Sequence, residues 1–341
     1  MDPLREYFLG LAAHGLRMPI GTDLVLAEKP DAAAVKLDGK RLGEVIVESA
    51  QRWNTPLAMP LMDLTVEKEW LLGALGVPAA GIGAYHFHDS VPAAVPDAPP
   101  TPRLRANVEA IRHVAQQEDL LACGMTIGPF SLMTKLISDP ITPVFMAGMN
   151  EQDAEVERLE SALNLAAKTV LHLLEAQLAA GARAIIVCEP AANTTYFSPN
   201  QLANGADVFE RYVITLNRHI AELLRSENAA LIFHDCGELT DTMLGQFGLL
   251  KPVMLSLGSS RTLWEDAPHV PHDVVLYGNL PTKKFYSDEV MPLAQVRTKA
   301  RELVTRMQTT GHPFILGSEC DVLSVPGRER AIKTKVEAFL H

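Results

Sequence analysis

The sequence predicts an α/β fold, a (β/α)8 TIM barrel with an N-terminal helical extension. Three observations carry this. Helical and strand signals alternate along the chain. The strand candidates are short, continuous apolar runs, as in a parallel sheet buried on both faces. About eight of them can be counted, most joined by helical segments. Repeated strand–helix–strand units imply parallel strands with right-handed crossovers, and eight units favour closure into a barrel. An open doubly wound sheet shares the alternation and stands as the second architecture. No GxGxxG and no GxxxxGKS/T run follows an early strand, which weakens a nucleotide-binding version of it.

The elements follow in order. Residues 1–50 read as a helical lead-in, and 51–341 as one barrel domain. The first strand candidate is TPLAMPLMD (55–63), followed by a helix near 65–75. GIGAYHFH (81–88) is a less secure strand with the look of a hairpin. VPAAVPDAPPTP (91–102) holds five prolines and reads as a long loop, because alternation resumes directly after it. LLACGMTIG (120–128) is the next strand. The clearest helix spans 151–180, with Val156, Leu159, Leu163, Ala166, Val170, Leu173 and Leu174 on one stripe and Asn150 as its cap. AIIVC (184–188) is a strand, 206–227 a helix, and AALIFHDCG (229–237) a strand ending in polar residues. PVMLSLG (252–258), DVVLYGN (273–279) and PFILGSE (313–319) complete the set, with a helix at about 292–310.

Composition narrows the function. Of 341 residues 48% are hydrophobic and 21% charged, which excludes disordered, collagen-like and coiled-coil chains. The net charge of −11 argues against general nucleic-acid binding, which needs a clustered basic face. Four cysteines are too few for a disulfide scaffold. The most apolar stretch, 163–188, is interrupted by Lys168, His172, Glu175, Gln177 and Arg183 and does not read as a membrane span. No signal-peptide pattern opens the chain, so a reducing cytoplasm is the expected compartment.

The chemistry concentrates at strand ends. In a strand over 230–236, His234 and Cys236 point the same way. They sit at its C-terminal end, where barrel active sites are built. Cys320 lies just past the last strand, and in a closed barrel it converges with them across the mouth. His, Cys and Cys would then leave one zinc position open, the pattern of a catalytic site. The competing reading makes both cysteines small core residues. Glu189 is the candidate fourth donor, or else a loop carboxylate with a partner of its own. Asp63 either binds substrate or caps the helix after it. Asn279 either hydrogen-bonds a ligand or orders a turn. His86 and His88 share a face and read as a surface hairpin. Cys123 and Cys188 read as core.

Six segments, RMPIG, PLMDLT, IGPFSLMTKLIS, IFHDCG, YGNLPT and ILGSECDVLSVPGRE, together resemble the methylcobamide:coenzyme M methyltransferases of the uroporphyrinogen decarboxylase superfamily. The most specific element is H-x-C with a distant Cys in a GxxCD context. The resemblance implies a TIM barrel with zinc held by His234, Cys236 and Cys320. It implies methyl transfer from a methylated corrinoid on a partner corrinoid protein to a zinc-activated thiol such as coenzyme M, or to a folate acceptor. Two departures stand out. Arg17 is the one arginine where true uroporphyrinogen decarboxylases carry an arginine-rich stretch for substrate carboxylates, and Glu189 stands where relatives often carry Asp before Pro. A metal-free decarboxylase and a non-catalytic corrinoid- or thiol-binding protein are the alternatives.

Overall fold

The computed structural model describes residues 2–341. Eight strands form one sheet: β1 (Arg17–Ile20), β2 (Leu57–Ala58), β3 (Leu121–Ile127), β4 (Ala184–Cys188), β5 (Ala230–Asp235), β6 (Met254–Leu257), β7 (Val275–Leu280) and β8 (Phe314–Asp321). Their order is β1-β8-β7-β6-β5-β4-β3-β2, and every paired neighbour is parallel. The sheet curls into the expected barrel. At its seam β1 and β2 are joined by side chains instead of a ladder. The Thr55 hydroxyl meets Met18 Sδ at 3.2 Å, and the Thr22 hydroxyl donates to the Met59 carbonyl at 2.6 Å.

Alternation along the strands sorts the apolar residues into two cores. Ile186, Ile232, Met254, Tyr277 and Ile315 fill the lumen. Ile185, Leu231, Phe233, Leu255 and Leu276 face the surrounding helices. The lumen is stoppered at its N-terminal end by the helix Pro3–Ala13, which inserts Phe8 among the lumen residues. Arg5 fixes the stopper by donating to the carbonyls of Lys251 (2.7 Å), Pro252 (3.0 Å) and Asp273 (2.7 Å), at the starts of β6 and β7. The opposite, C-terminal end is left for chemistry.

Two expectations about elements need correction. The lead-in is helical as read, but it also contributes β1, so residues 1–50 supply both a strand and a plug to the barrel. Pro19 inside a four-residue strand hid it. A proline is tolerated there because the register of β1 against β8 shifts between Met18 and Ile20. Conversely, 81–88 is not a strand: Ala79–Ala84 forms a 3-10 helix. No slot exists for it, since β2 pairs directly with β3, Leu57 opposite Leu121. Gly81 and Gly83 also give the segment no continuous apolar face.

The long helix runs Ala154–Ala179, and its cap is Asp153, whose Oδ1 accepts from the amides of Glu155 (2.8 Å) and Val156 (3.0 Å). Asn150, the expected cap, lies in the preceding turn at φ 59°. The 206–227 helix appears as a π-helical turn, Glu210–Ile214, running into Thr215–Ser226. Leu293–Thr310 matches the last expected helix. Among the described residues no helix is long and apolar enough to cross a membrane.

One buried carboxylate ties a helix to the sheet. Glu67, on the helix Val66–Ala74, accepts from Thr126 Oγ1 (2.8 Å) and the Ile127 amide (3.2 Å). Burial outweighs those bonds and pushes its pKa up to about 7. The folded chain therefore holds this proton more readily than the unfolded one. The stabilisation is complete below about pH 4.5 and is lost as pH rises toward 7.

Two outcomes follow. Phe8→Ala opens the bottom of the lumen and lowers unfolding free energy by about 3–5 kcal/mol in urea melts. Glu67→Gln flattens the fall in stability between pH 4.5 and 7 by on the order of 3 kcal/mol, read as the wild-type-minus-variant difference at the two ends.

Candidate metal centre

On β5, Ala230 and Ile232 face the lumen, and the same alternation points His234 into it at the strand's C-terminal end. Ser256 is its register partner on β6. The Ser256 hydroxyl lies 2.8 Å from His234 Nδ1. If the hydroxyl accepts from Nδ1–H, the lone pair is left on Nε2. That atom is buried and has no hydrogen-bond partner among the described residues. Cys236 follows two residues on and is partly exposed at the mouth.

Cys320 arrives from the other side through an irregularity in β8. Met18 pairs with Gly317 but Ile20 pairs with Asp321, so β8 carries extra residues against β1. Simple alternation from the lumen residue Ile315 would turn Cys320 outward. Ser318 and Cys320 face inward all the same, Ser318 on the lumen residue Tyr277 and Cys320 beside His234 and Cys236, so alternation breaks within this irregular stretch, as at bulges near active sites. The bulge is pinned on both sides. The Ser318 hydroxyl accepts from the Ile20 amide (3.0 Å) and bonds the Tyr277 hydroxyl (3.1 Å). At Gly317 the Tyr277 ring lies 2.2 Å from where a Cβ would be, so no side chain fits.

The ligand atoms of His234, Cys236 and Cys320 lie within 4.8 Å of one another. Zinc bonds of roughly 2.0–2.3 Å to N and S reach such a triangle after small side-chain rotations. The electrostatics match a cation. The Cys236 thiol is drawn down by the hydrogen bond from Cys320, and further by His234 and Lys283. The Cys320 thiol is pushed up, chiefly by donating that bond. The pair thus gives up one proton readily and holds the second until a positive charge arrives. Burial pulls the Lys283 ammonium down, but the charges of Cys236 and Cys320 outweigh it and raise it. An unpartnered imidazole nitrogen beside two poised sulfurs fits zinc, with three protein ligands and a fourth position open.

The model of the uroporphyrinogen decarboxylase (URO-D) family matches residues 84–336. The chain belongs to that family. Among solved structures, a methyltransferase from Methanosarcina mazei shares the fold with a TM-score of 0.66 at 16% identity, over 95% of this chain and 93% of that one. A Listeria monocytogenes protein assigned as a vitamin-B12 independent methionine synthase aligns with a TM-score of 0.48 at 13% identity, over 90% of this chain and 87% of that one. Nothing among curated protein sequences matches.

For a URO-D family member the remaining expected site residues sit instructively. Glu189 does not join the three ligands. It is fully buried on the helix side of the sheet, one residue out of phase with Cys188 in the lumen. Its carboxylate accepts from the amides of Phe130 (3.1 Å) and Ser131 (2.8 Å) and from Asn217 Nδ2 (2.9 Å). A Cβ at Gly128 would overlap that carboxyl group, at 2.1 Å from Cδ. Burial raises its pKa, opposed by those hydrogen bonds. Asp63 accepts from the Thr65 amide (3.2 Å) and hydroxyl (2.6 Å) and pairs with Arg103 at 3.1 Å, which is its helix-entry reading. Asn279 Nδ2 donates to the carbonyls of Gly258 and Arg261, each at 2.9 Å, and so orders the loop after β6. Arg17 lies at the start of β1, opposite the mouth, and donates to the Phe339 carbonyl at 3.2 Å. Cys123 and Cys188 are buried.

Three contributors escaped sequence reading: Ser256, Lys283 and Glu319. Glu319 accepts from Ser259 Oγ (2.5 Å) and the Lys283 amide (3.1 Å), holding the loops after β6 and β7 to β8. Only Ser256 left a signal, a polar residue inside an apolar strand next to His234's strand.

Ser256→Ala removes the hydroxyl that meets His234 Nδ1. Zinc affinity, read by chelator competition, falls about 10–100-fold while the fold persists.

Proposed function

We propose that the chain is a zinc-containing methyltransferase that moves a methyl group from a methylated corrinoid, carried on a partner protein, to a thiol of the coenzyme M kind or a related acceptor such as tetrahydrofolate. One observation carries the reading. Two partly exposed cysteines and an unpartnered His234 Nε2 converge at the C-terminal mouth. Family membership and the barrel shared with the Methanosarcina mazei methyltransferase support it.

Zinc in this site would lower the pKa of an acceptor thiol from about 8.5, so that the thiolate nucleophile prevails at neutral pH. The chain's own residues prepare for it. By accepting from Nδ1–H, the Ser256 hydroxyl would leave the His234 Nε2 lone pair free for the metal. Cys236 and Cys320 release their protons, and the hydrogen bond between them already favours loss of the first. Lys283 offsets the accumulated thiolate charge. In the net reaction the sulfur–carbon bond forms as the cobalt–carbon bond breaks. The electron pair of the broken bond stays with the corrinoid, and the acceptor's proton passes to water.

Metal content measured on protein purified without added metal tests the site. About one zinc per chain is expected in the wild type, and almost none in Cys236→Ser, Cys320→Ser. Methylcobalamin demethylation with a panel of thiols then reads the activity, with loss of at least about 100-fold in Cys236→Ser. Folded protein without zinc, or full methyl transfer in Cys236→Ser, would overturn the proposal.

A further inference from the structure

A cleft of about 820 Å³ lies on the β2–β3 side of the molecule. Its walls come from the helix Val66–Ala74, the 3-10 turn Ala79–Ala84, the start of the helix Pro102–Val114 and the turn after Pro129–Met133. Three cations line it: Lys68, Arg103 and Lys135. Glu69 is the one carboxylate in the lining, and it is already engaged with Arg103 at 2.7 Å. Arg103 also pairs with Asp63 at 3.1 Å, yet its Nε is buried with no partner among the described residues.

The two lysines are different. Lys68 is only 7% exposed, and its ammonium makes one hydrogen bond, to the Gly83 carbonyl at 3.1 Å. An ammonium has three N–H donors. Among the described residues neither Lys68 nor Lys135 pairs with a carboxylate, whereas Arg103 beside them pairs with two. Burial first, and then the charge of Lys135, hold the Lys68 ammonium below its ordinary pKa. His86, also in the lining, is held down by burial and by Lys68 and His88. The two lysine charges stand here without carboxylate partners among the described residues, in a chain whose net charge is −11. Buried charges are ordinarily paired. Val77 and Ile82 add apolar wall to the same cleft.

We propose that this cleft binds an organic anion, with a phosphate, sulfonate or carboxylate group seated between Lys68 and Lys135 and an apolar body against Val77 and Ile82. The site is separate from the cysteine pair and does not rest on the zinc reading.

Fluorescence titration of the full chain with 8-anilinonaphthalene-1-sulfonate tests it. The uncharged N-phenyl-1-naphthylamine is the second arm, and inorganic pyrophosphate is a competitor. One sulfonate per chain is expected, bound about tenfold more tightly than the amine, weakened by salt and displaced by pyrophosphate. Lys135→Gln should weaken the sulfonate about tenfold, and Lys68→Gln likewise. Lys135 is only half-buried, so its variant keeps the test open should loss of Lys68 unfold the chain. Equal binding of the two probes, failure of pyrophosphate to compete, or unchanged affinity in folded Lys135→Gln would each overturn the proposal.

Discussion

β8 has two tasks that conflict. It must pair with β1 to complete the sheet, and it must deliver a sulfur to the lumen side of the mouth. A regular strand starting from Ile315 would satisfy the first and turn Cys320 away. The bulge opposite Met18–Ile20 resolves the conflict. It also explains its neighbours. Pro19 is tolerated because the ladder is already broken there. Gly317 is required because the Tyr277 ring occupies the space of a side chain. Tyr277 and Ser318 hydrogen-bond to each other and to the β1 backbone, so the bulge cannot relax into a regular strand without losing buried hydrogen bonds.

The rim above the barrel is braced by carboxylates. Glu67, from the helix after β2, accepts from the end of β3. Glu189, just past β4, accepts from the turn after β3. Glu319, within β8, accepts from the loops after β6 and β7. Glu189 and Glu319 take backbone N–H groups that βα turns leave without a helical partner, and Glu67 takes the last amide of β3. The staples tie the rim on two sides, around β3 and around β8. The Glu319 staple holds the Lys283 turn to β8, the strand that carries Cys320.

This bracing also explains which parts of the site could be read from sequence. His234 and Cys236 were legible because a strand's period of two is local: two residues apart means one face. Strand-end placement makes Cys320 a candidate, but the break in alternation that turns it inward lies in the irregular stretch of β8, which no local pattern encodes. The strong helix Ala154–Ala179 was legible from its apolar stripe, while its cap was misplaced by three residues because Asn150 and Asp153 are both good caps. A buried Glu before Pro at a strand end looks like a ligand and like a staple in equal measure. Only the positions of Phe130, Ser131 and Asn217 decide that Glu189 is a staple. The sequence hides β1 and offers 81–88 instead for a related reason. A strand exists where a ladder accepts it, and Arg17–Ile20 has β8 while 81–88 has no partner.

The contrast among the four cysteines argues for what the mouth is for. Cys123 and Cys188 are buried in the lumen core, where a thiol behaves as a small hydrophobe. Burial raises the pKa of both, so they stay protonated. Cys236 and Cys320 are partly exposed, contribute little packing, and are brought together only by an irregular strand. Beside them His234 keeps one nitrogen buried and unpartnered, at a cost of about 1–3 kcal/mol if nothing binds it. A fold that needed only a core would fill these positions with leucine or valine and a regular β8. The bulge, the orphan nitrogen and the paired thiols are each unfavourable alone. A cation held as proposed by His234, Cys236 and Cys320 would satisfy the nitrogen and both sulfurs together.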